Sequence, residues 1–309
     1  SELEMPEDAQ EMTVLGSLKE IALGKGIVSW CLLAMPLAVL SARNGWSPTS
    51  VFWWNFITMI PLASILGDFT EEVALHTNET IGGLINATFG NAVEVVVAIQ
   101  ALIANEIRVV QASMLGSIFS NLLLVLGCCF FFGGLKYQQQ TFNSITATAN
   151  MGLLALSSIA LILPTPFAEY YELHDEHVLI VSRIAAIFLM FMYIQLLVFQ
   201  LKTHANLLES ESGDELASMP FWVSIVGLLF VTLLITVFSD YLVESIDGFV
   251  EESGISRTFV GIVLLPIVGN AVEHVTAITV AVKNKMDLAM GVAIGSCTQI
   301  SLFVVPLTV

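Results

Sequence analysis

The stretch "GNAVE" stands at Gly90–Glu94, and the same five letters return at Gly269–Glu273, 179 residues later. Both copies lie inside long apolar runs, where an acidic side chain at the helix centre costs roughly 2.5–3.5 kcal/mol on insertion scales. The flanks match as well. Laying 82–117 on 261–296 pairs Gly82 with Gly261, Val96 with Val275, Ala98 with Ala277, Ile99 with Ile278, Asn105 with Asn284, Gly116 with Gly295 and Ser117 with Ser296, giving 12 identities in 36 positions. The same offset sets Asp68 over Asp247 and Glu72 over Glu251. Two unrelated apolar helices share scattered letters, but not an embedded pentapeptide and a matched Gly-Ser pair. The chain carries an internal duplication.

Its surroundings are those of a membrane. Of 309 residues 56% are hydrophobic and 12% charged, with a mean hydropathy of +0.84, where soluble domains carry about 25% charged residues. The net charge of −17 is gathered outside the apolar runs: five acids in 1–12, four in 209–215 and four in 169–177. These tracts read as solvated tails and loops. Only ten Lys and Arg are present, which excludes nucleic acid as a partner. The four cysteines, Cys31, Cys128, Cys129 and Cys297, show no metal-site or disulfide spacing and read as packing residues.

Runs near the ~20 residues that a bilayer demands follow one another along the chain. An acidic segment, 1–23, precedes M1 at 24–42. M2 is read at 49–68, M3 at 81–104, M4 at 110–134, M5 at 146–164 and M6 at 178–200, so that 49–200 forms a first repeat. After an acidic linker, 201–219, come M7 at 221–246, M8 at 258–282 and M9 at 287–309. The duplication maps M3 onto M8 and M4 onto M9. Five crossings separate each pair, so the two copies face opposite ways through the membrane, the inverted-topology plan of secondary transporters. The expected fold is all-α and polytopic, one extra N-terminal helix followed by repeats M2–M6 and M7–M11. On that plan M10 and M11 fall beyond the chain, which begins SELEMPED and reads as a fragment. Six Lys against four Arg across the loops favour a cytoplasmic N-terminus and a cytoplasmic 201–219 linker.

The chemistry of the repeat is that of hard oxygen donors. At helical spacing Thr88, Asn91 and Glu94 form one stripe, with Asn270 and Glu273 its counterpart. Hydroxyl, amide and carboxylate oxygens suit Ca2+, Mn2+ or Mg2+ above soft metals. Gly90 and Gly269 let the backbone approach closely or unwind at that depth. A divalent cation between Glu94 and Glu273 neutralises both charges, and two protons do so equally well. Mutually exclusive occupancy of that kind is what antiport requires. Ser117 and Ser296, in GSIFSN and GSCTQ, are expected to line the cavity, with Gln299 beside them. His274 follows Glu273, and its counterpart is Val95; a ring that titrates near neutrality suits a proton pathway. Glu71 and Glu72, after M2, are candidates for ion entry.

The two GNAVE copies in their full settings, "GLINATFGNAVEVVVAIQAL" with "RVVQASMLGSIFSNLLLVLG" and "PIVGNAVEHVTAITVAVKNKMDLAMGVAIGS", resemble the cation/proton exchanger (CAX) family of the calcium/cation antiporters, from about residue 50 to the end. The resemblance implies a vacuolar-type Ca2+/H+ antiporter, with an extra first helix and two five-helix repeats joined by an acidic loop. It sets the central acidic residues on Glu94 and Glu273, with Asn91 and Asn270 beside them. It implies no cofactor: the partners are the transported Ca2+ and H+ and the lipid bilayer. Two other readings stay open. A sodium-coupled exchanger would use the same repeat, and an intramembrane metal-dependent hydrolase would draw on Glu71, Glu72, His76 and His274 without explaining the duplication. A channel fits poorly, because paired carboxylates that bind tightly slow passage.

Overall fold

In lipid every backbone polar group must be satisfied within its own segment, so long apolar runs become helices. The computed structural model describes residues 14–142, 144–171, 175–203 and 217–309, and every regular element among them is helical. Helices α1 (Val14–Leu23) and α2 (Val28–Arg43) meet at 92°, the turn falling where Gly26 takes φ 57°. Next come α3 (Pro48–Leu75), then α4 (Glu79–Phe89) and α5 (Ala92–Ile103), bent by 42°. Long helices α6 (Ile107–Lys136), α7 (Ala147–Tyr170), α8 (His177–Thr203) and α9 (Phe221–Glu244) follow. The chain closes with the short α10 (Ile246–Ser253), the pair α11 (Arg257–Gly269) and α12 (Ala271–Val282), bent by 61°, and α13 (Met286–Thr308). Among the described residues six helices are long and apolar enough to cross a membrane, or up to nine if each bent pair is one span. The fold is the expected all-α, multi-span one. The acidic tract 1–12, most of the acidic linker (204–216) and residues 172–174 lie outside the described residues.

The bends fall at the repeated motif. Asn91 (φ −104°, ψ 18°) and Asn270 (φ −89°, ψ 14°) leave helical geometry and cap α5 and α12. The expected stripe of Thr88, Asn91 and Glu94 is therefore interrupted: Thr88 stays on α4, its hydroxyl donating to the Leu84 carbonyl at 2.8 Å, while Asn91 and Glu94 belong to the start of α5. A glycine beside an asparagine weakens a helix at that point, and the helix breaks there. Each bent pair also ends alike. Asn105 (φ 60°) and Asn284 (φ 64°) are the non-glycine residues with positive φ among those described. Beyond them the Glu106 amide returns to the Ala101 carbonyl at 2.8 Å and the Lys285 amide to the Val280 carbonyl at 2.9 Å. This is the left-handed C-terminal cap that asparagine tolerates better than branched residues do.

Helix α3 runs along α9 and forms the centre of the core. Leu228, Val231, Ile235, Phe238 and Leu242 of α9 are buried at alternating spacings of three and four, facing Phe52, Met59, Leu62, Leu66 and Phe69 of α3. Two glycines set the approach. A side chain at Gly227 would overlap the Phe69 ring, and one at Gly248 would overlap Pro48. At the 179-residue offset Pro48 corresponds to Gly227 and Phe69 to Gly248. Each contact is thus the other's image under exchange of the two copies. Phe52 and Phe249 stack beside them with centroids 4.1 Å apart. Without water to drive association inside a bilayer, this kind of shape fit holds helices together.

Candidate functional site

The broken pairs cross where the two motifs meet. Asn91 and Glu94 sit at and just after the cap of α5, Asn270 and Glu273 at and just after that of α12. A helix N-terminus carries partial positive charge, so each carboxylate is placed where its own half-helix favours the ionised form. Glu94 is 4% exposed, Asn91 1% and Asn270 0%, while Glu273 is half-buried. The Glu94 carboxylate lies against the opposite motif: a Cβ built on Gly269 would stand 2.6 Å from Glu94 Oε1.

The amide groups are oriented by their nitrogens. Asn91 Nδ2 donates to Gln299 Oε1 at 2.7 Å and to the Ala87 carbonyl at 3.2 Å; Asn270 Nδ2 donates to the Ser117 carbonyl at 3.2 Å. Asn121 Nδ2 donates to Ser296 Oγ at 2.9 Å. The oxygens are left over. Both carboxylate oxygens of Glu94, Oε2 of Glu273 and the Oδ1 atoms of Asn91, Asn121 and Asn270 are buried without a hydrogen-bond partner. A buried acceptor left unpaired is costly, and native structures keep few of them. Carboxylate and amide oxygens are the hard donors that Ca2+ takes in sets of six to eight. The carboxylates are only two, and no group of three or more His, Cys, Asp or Glu gathers among the described residues. Such a donor set suits a cation that must leave again.

The remaining candidates fall into two groups. Ser117, Ser296, Gln299, Thr88 and the two motif glycines lie in or beside the motifs, Ser117 engaging Asn270 through its carbonyl. His274 is brought in too. Its Nδ1 donates to the Asn270 carbonyl at 2.6 Å, and its Nε2 stands 3.4 Å from Ser120 Oγ. Glu71 and Glu72 stand instead at the C-terminal end of α3. Glu72 accepts from the Ser218 amide (3.1 Å) and hydroxyl (2.6 Å), and His76 Nε2 bonds the Met219 carbonyl at 2.6 Å, so both side chains fasten the start of α9. Asn121, four residues after Ser117 and so on the same helix face, is brought in as well. Its counterpart is Ile300, so the duplication gives no signal for it; a buried asparagine four residues after Ser117 in an apolar run was the one cue available.

Comparison with known proteins agrees with this geometry. The sequence profile described as "Sodium/calcium exchanger protein" matches residues 47–202 and 223–309. The "Vacuolar calcium ion transporter" of Schizosaccharomyces pombe is 43% identical over 307 residues, covering 96% of this chain and 74% of that one. The "Ca(2+)/H(+) antiporter" of Aphanothece halophytica is 41% identical over 297 residues, 90% of this chain and 79% of its own. Among solved structures, native YfkE superposes with a TM-score of 0.79 at 35% identity over 92% of this chain and 81% of the other. With a matching profile over most of its length and relatives above 40% identity, the chain belongs to the sodium/calcium exchanger family.

Proposed function

We propose that this protein is a secondary active antiporter, not an enzyme, that exchanges Ca2+, and other hard divalent cations such as Mn2+, for H+ across the membrane of an acidic organelle such as the vacuole. The observation that carries the reading is the set of buried, unpartnered oxygens contributed by both motifs: Glu94, Asn91 and Asn121 on one side, Glu273 and Asn270 on the other. Two carboxylates, one buried and one half-buried, set among neutral amides and without an ion pair to a Lys or Arg, demand either one divalent cation or protons. Exchange follows when the two cannot be present together. The names of the relatives, a vacuolar calcium transporter and a Ca2+/H+ antiporter, support the same ions and the same membrane.

The remaining details belong to this proposal. The matched bends, the matched left-handed asparagines and the paired Gly227–Phe69 and Gly248–Pro48 contacts support two copies related by a local two-fold axis, as inverted repeats require. Glu94, Glu273, Asn91 and Asn270 hold the cation, with Gly90, Gly269, Thr88, Ser117 and Ser296 shaping the cavity. His274 relays protons, with Gln299 beside Asn91, while Glu71 and Glu72 stand at the near-side mouth. The N-terminus and the acidic linker face the cytoplasm, and Ca2+ moves from there into the store as H+ leaves. Sodium coupling would use the same oxygens. It is separated from proton coupling by the driving gradient.

The test is Glu94→Gln and Glu273→Gln in the whole protein reconstituted in vesicles. Each should lower Ca2+ exchange by about 100-fold or more, as a buried charge left without its partner costs roughly 3–5 kcal/mol, with membrane insertion and purification profile unchanged. Exchange near the parent rate in either variant would remove the two-carboxylate mechanism.

A further inference from the structure

Helices α6 and α13 each contain a stretch in which the backbone ladder widens from i→i+4 to i→i+5, a π-turn: Ser120–Val125 in α6 and Ile300–Val304 in α13. The 179-residue offset carries the first onto 299–304, so the two irregularities occupy the same place in both copies, directly after the matched Gly116-Ser117 and Gly295-Ser296. Of the two further π-turns among the described residues, Phe199–Thr203 and Val260–Leu264, the second can be compared at this offset and has no such partner: the segment matching it is ordinary helix in α4. π-turns are rare and concentrate at working sites. A duplicated one asks for a cause.

The local cause sits two residues downstream. Pro306 follows the α13 turn and Gly127 follows the α6 turn, and these two are again counterparts. Proline removes an amide donor from the ladder. Gly127 is not required for fit, because a Cβ there would meet nothing within 4 Å, and its φ is not positive. What glycine does at an open helical position is weaken the helix. Both copies therefore keep the same soft point by different chemistry.

At and before the turns, carbonyls are taken up by side chains. In α6 the Ser117 carbonyl accepts from Asn270 Nδ2 at 3.2 Å and the Ile118 carbonyl from Cys297 Sγ at 3.4 Å. Ile118 and Cys297 are themselves counterparts, so their contact straddles the local two-fold axis. In α13 the Thr298 carbonyl accepts from its own helix, Ser301 Oγ at 3.1 Å. The oxygen-bearing residues of α6 lie just before the turn, at Ser117, and in its first two positions, Ser120 and Asn121, and the outer part of α6 is pinned by Lys136 Nζ on the Val282 carbonyl at 3.1 Å. Passing a π-turn along a helix by one position turns the residue it passes by about 100° and shifts it by about 1.5 Å, while both flanks keep their faces. Steps of that kind would re-aim Ser120 and Asn121 without unwinding either end.

We propose that the paired π-turns of α6 and α13 are hinges whose register moves during the exchange cycle, latched on the α6 side through the site residue Asn270. This rests on the antiport reading above. The latch links the hinge to the cargo: the same asparagine that offers Oδ1 to the cation holds the Ser117 carbonyl with Nδ2. On the α13 side Asn91 Nδ2 holds the side chain of Gln299, directly before the turn, at 2.7 Å rather than a backbone carbonyl, so the two hinges are coupled to the cargo through unlike bonds and respond to cation binding unequally.

Deleting one residue inside a π-turn restores an ordinary helix and keeps both flanks on their faces, whereas the same deletion in regular helix rotates everything beyond it. Leu123 is 73% exposed, so its loss removes little packing. The whole protein lacking Leu123 is compared in proteoliposomes with the parent and with a deletion of Phe131, which is 62% exposed in the regular part of α6. The expected result is a folded protein that still shows the Ca2+-induced rise in melting temperature but exchanges Ca2+ for H+ at least about tenfold more slowly, as expected when a conformational step is blocked. Exchange within about twofold of the parent overturns the proposal, as does loss of the Ca2+ response together with transport. If the deletion fails to fold, the double variant Gly127→Ala with Pro306→Ala keeps the length; amide hydrogen exchange over 120–125 and 300–304 should slow, and transport with it. Unchanged amide exchange and transport there overturn it equally. If the parent does not exchange Ca2+ for H+ at all, the antiport reading fails. The hinges are then judged by whether Ca2+ alone alters amide exchange in 120–125 more than in 300–304, and no change refutes them.

Discussion

At Glu94 the carboxylate rests on the backbone of Gly269, while the corresponding surface of Gly90 is exposed and meets only its own helix, at Asn86. The two motifs are identical in sequence and unequal in surroundings. Gly269→Ala should therefore push a methyl group into the Glu94 carboxylate and lower Ca2+ exchange by roughly 10–100-fold, the equivalent of the ~1–3 kcal/mol typical of overpacking. A Cβ on Gly90 would stand 2.5 Å from the Asn86 carbonyl, so Gly90→Ala should strain the end of its own helix but leave the Glu94 carboxylate untouched and lower exchange less. Equal effects from the two, measured as initial Ca2+ uptake rates in vesicles, would mean that the asymmetry at Glu94 has no part in function. The glutamates and asparagines were legible because duplication marks them and because a carboxylate at membrane depth must have a purpose. Their partners were not. The Asn91–Gln299 bond joins residues 208 apart, and no local spacing announces which helix supplies it.

Helices are the scale at which sequence letters acquired a reason the reading did not supply. Asn105 and Asn284 appear in the alignment of the copies simply as a shared letter. Their φ values of 60° and 64° explain it: each bent pair ends in a left-handed residue that closes the turn into the next helix. Asn105→Gly should leave thermal stability within measurement error, since glycine reaches that conformation freely. Asn105→Val should cost about 1–2 kcal/mol, because a branched side chain clashes with the preceding backbone there; the melting temperature of the detergent-solubilised protein reads the difference. A stable Asn105→Val variant would show that the turn is not held by the cap. The breaks themselves were half legible. Gly-Asn inside an apolar run signals weakness, but the 42° and 61° bends depend on what each half-helix packs against.

Across the whole molecule, α3 and α9 are fastened at both ends by carboxylates that reach the start of the other helix. Glu72, at the end of α3, holds Ser218 before α9, and Glu252, at the end of α10, accepts from the Thr49 amide at 3.1 Å and hydroxyl at 2.6 Å at the start of α3. The matched aspartates are bound as well: Asp68 by Lys25 at 2.6 Å and Asp247 by Arg257, which also reaches Glu106 at 3.5 Å. Lys25 comes from the turn before the extra helix α2, so that helix is tied to the first copy alone. Because Gly227–Phe69 and Gly248–Pro48 are one contact seen twice, Gly227→Leu and Gly248→Leu should destabilise comparably, by about 1–3 kcal/mol each from overpacking. A loss confined to one of them would argue against a shared two-fold arrangement. An all-helical fold with six or more spans was readable from hydropathy. The α3–α9 pairing was not, since buried and lipid-facing residues are both apolar in a membrane protein.

The central claim is that cation and protons compete for the oxygens of two matched glutamates. It is tested most directly by radiolabelled Ca2+ uptake into sealed vesicles with an acid interior, carrying the whole protein, with membrane potential clamped. The account predicts rapid uptake that collapses when a protonophore dissipates the pH gradient, and no uptake from Glu94→Gln or Glu273→Gln protein. Uptake indifferent to the pH gradient and driven by a sodium gradient would contradict proton coupling while keeping the fold and the site.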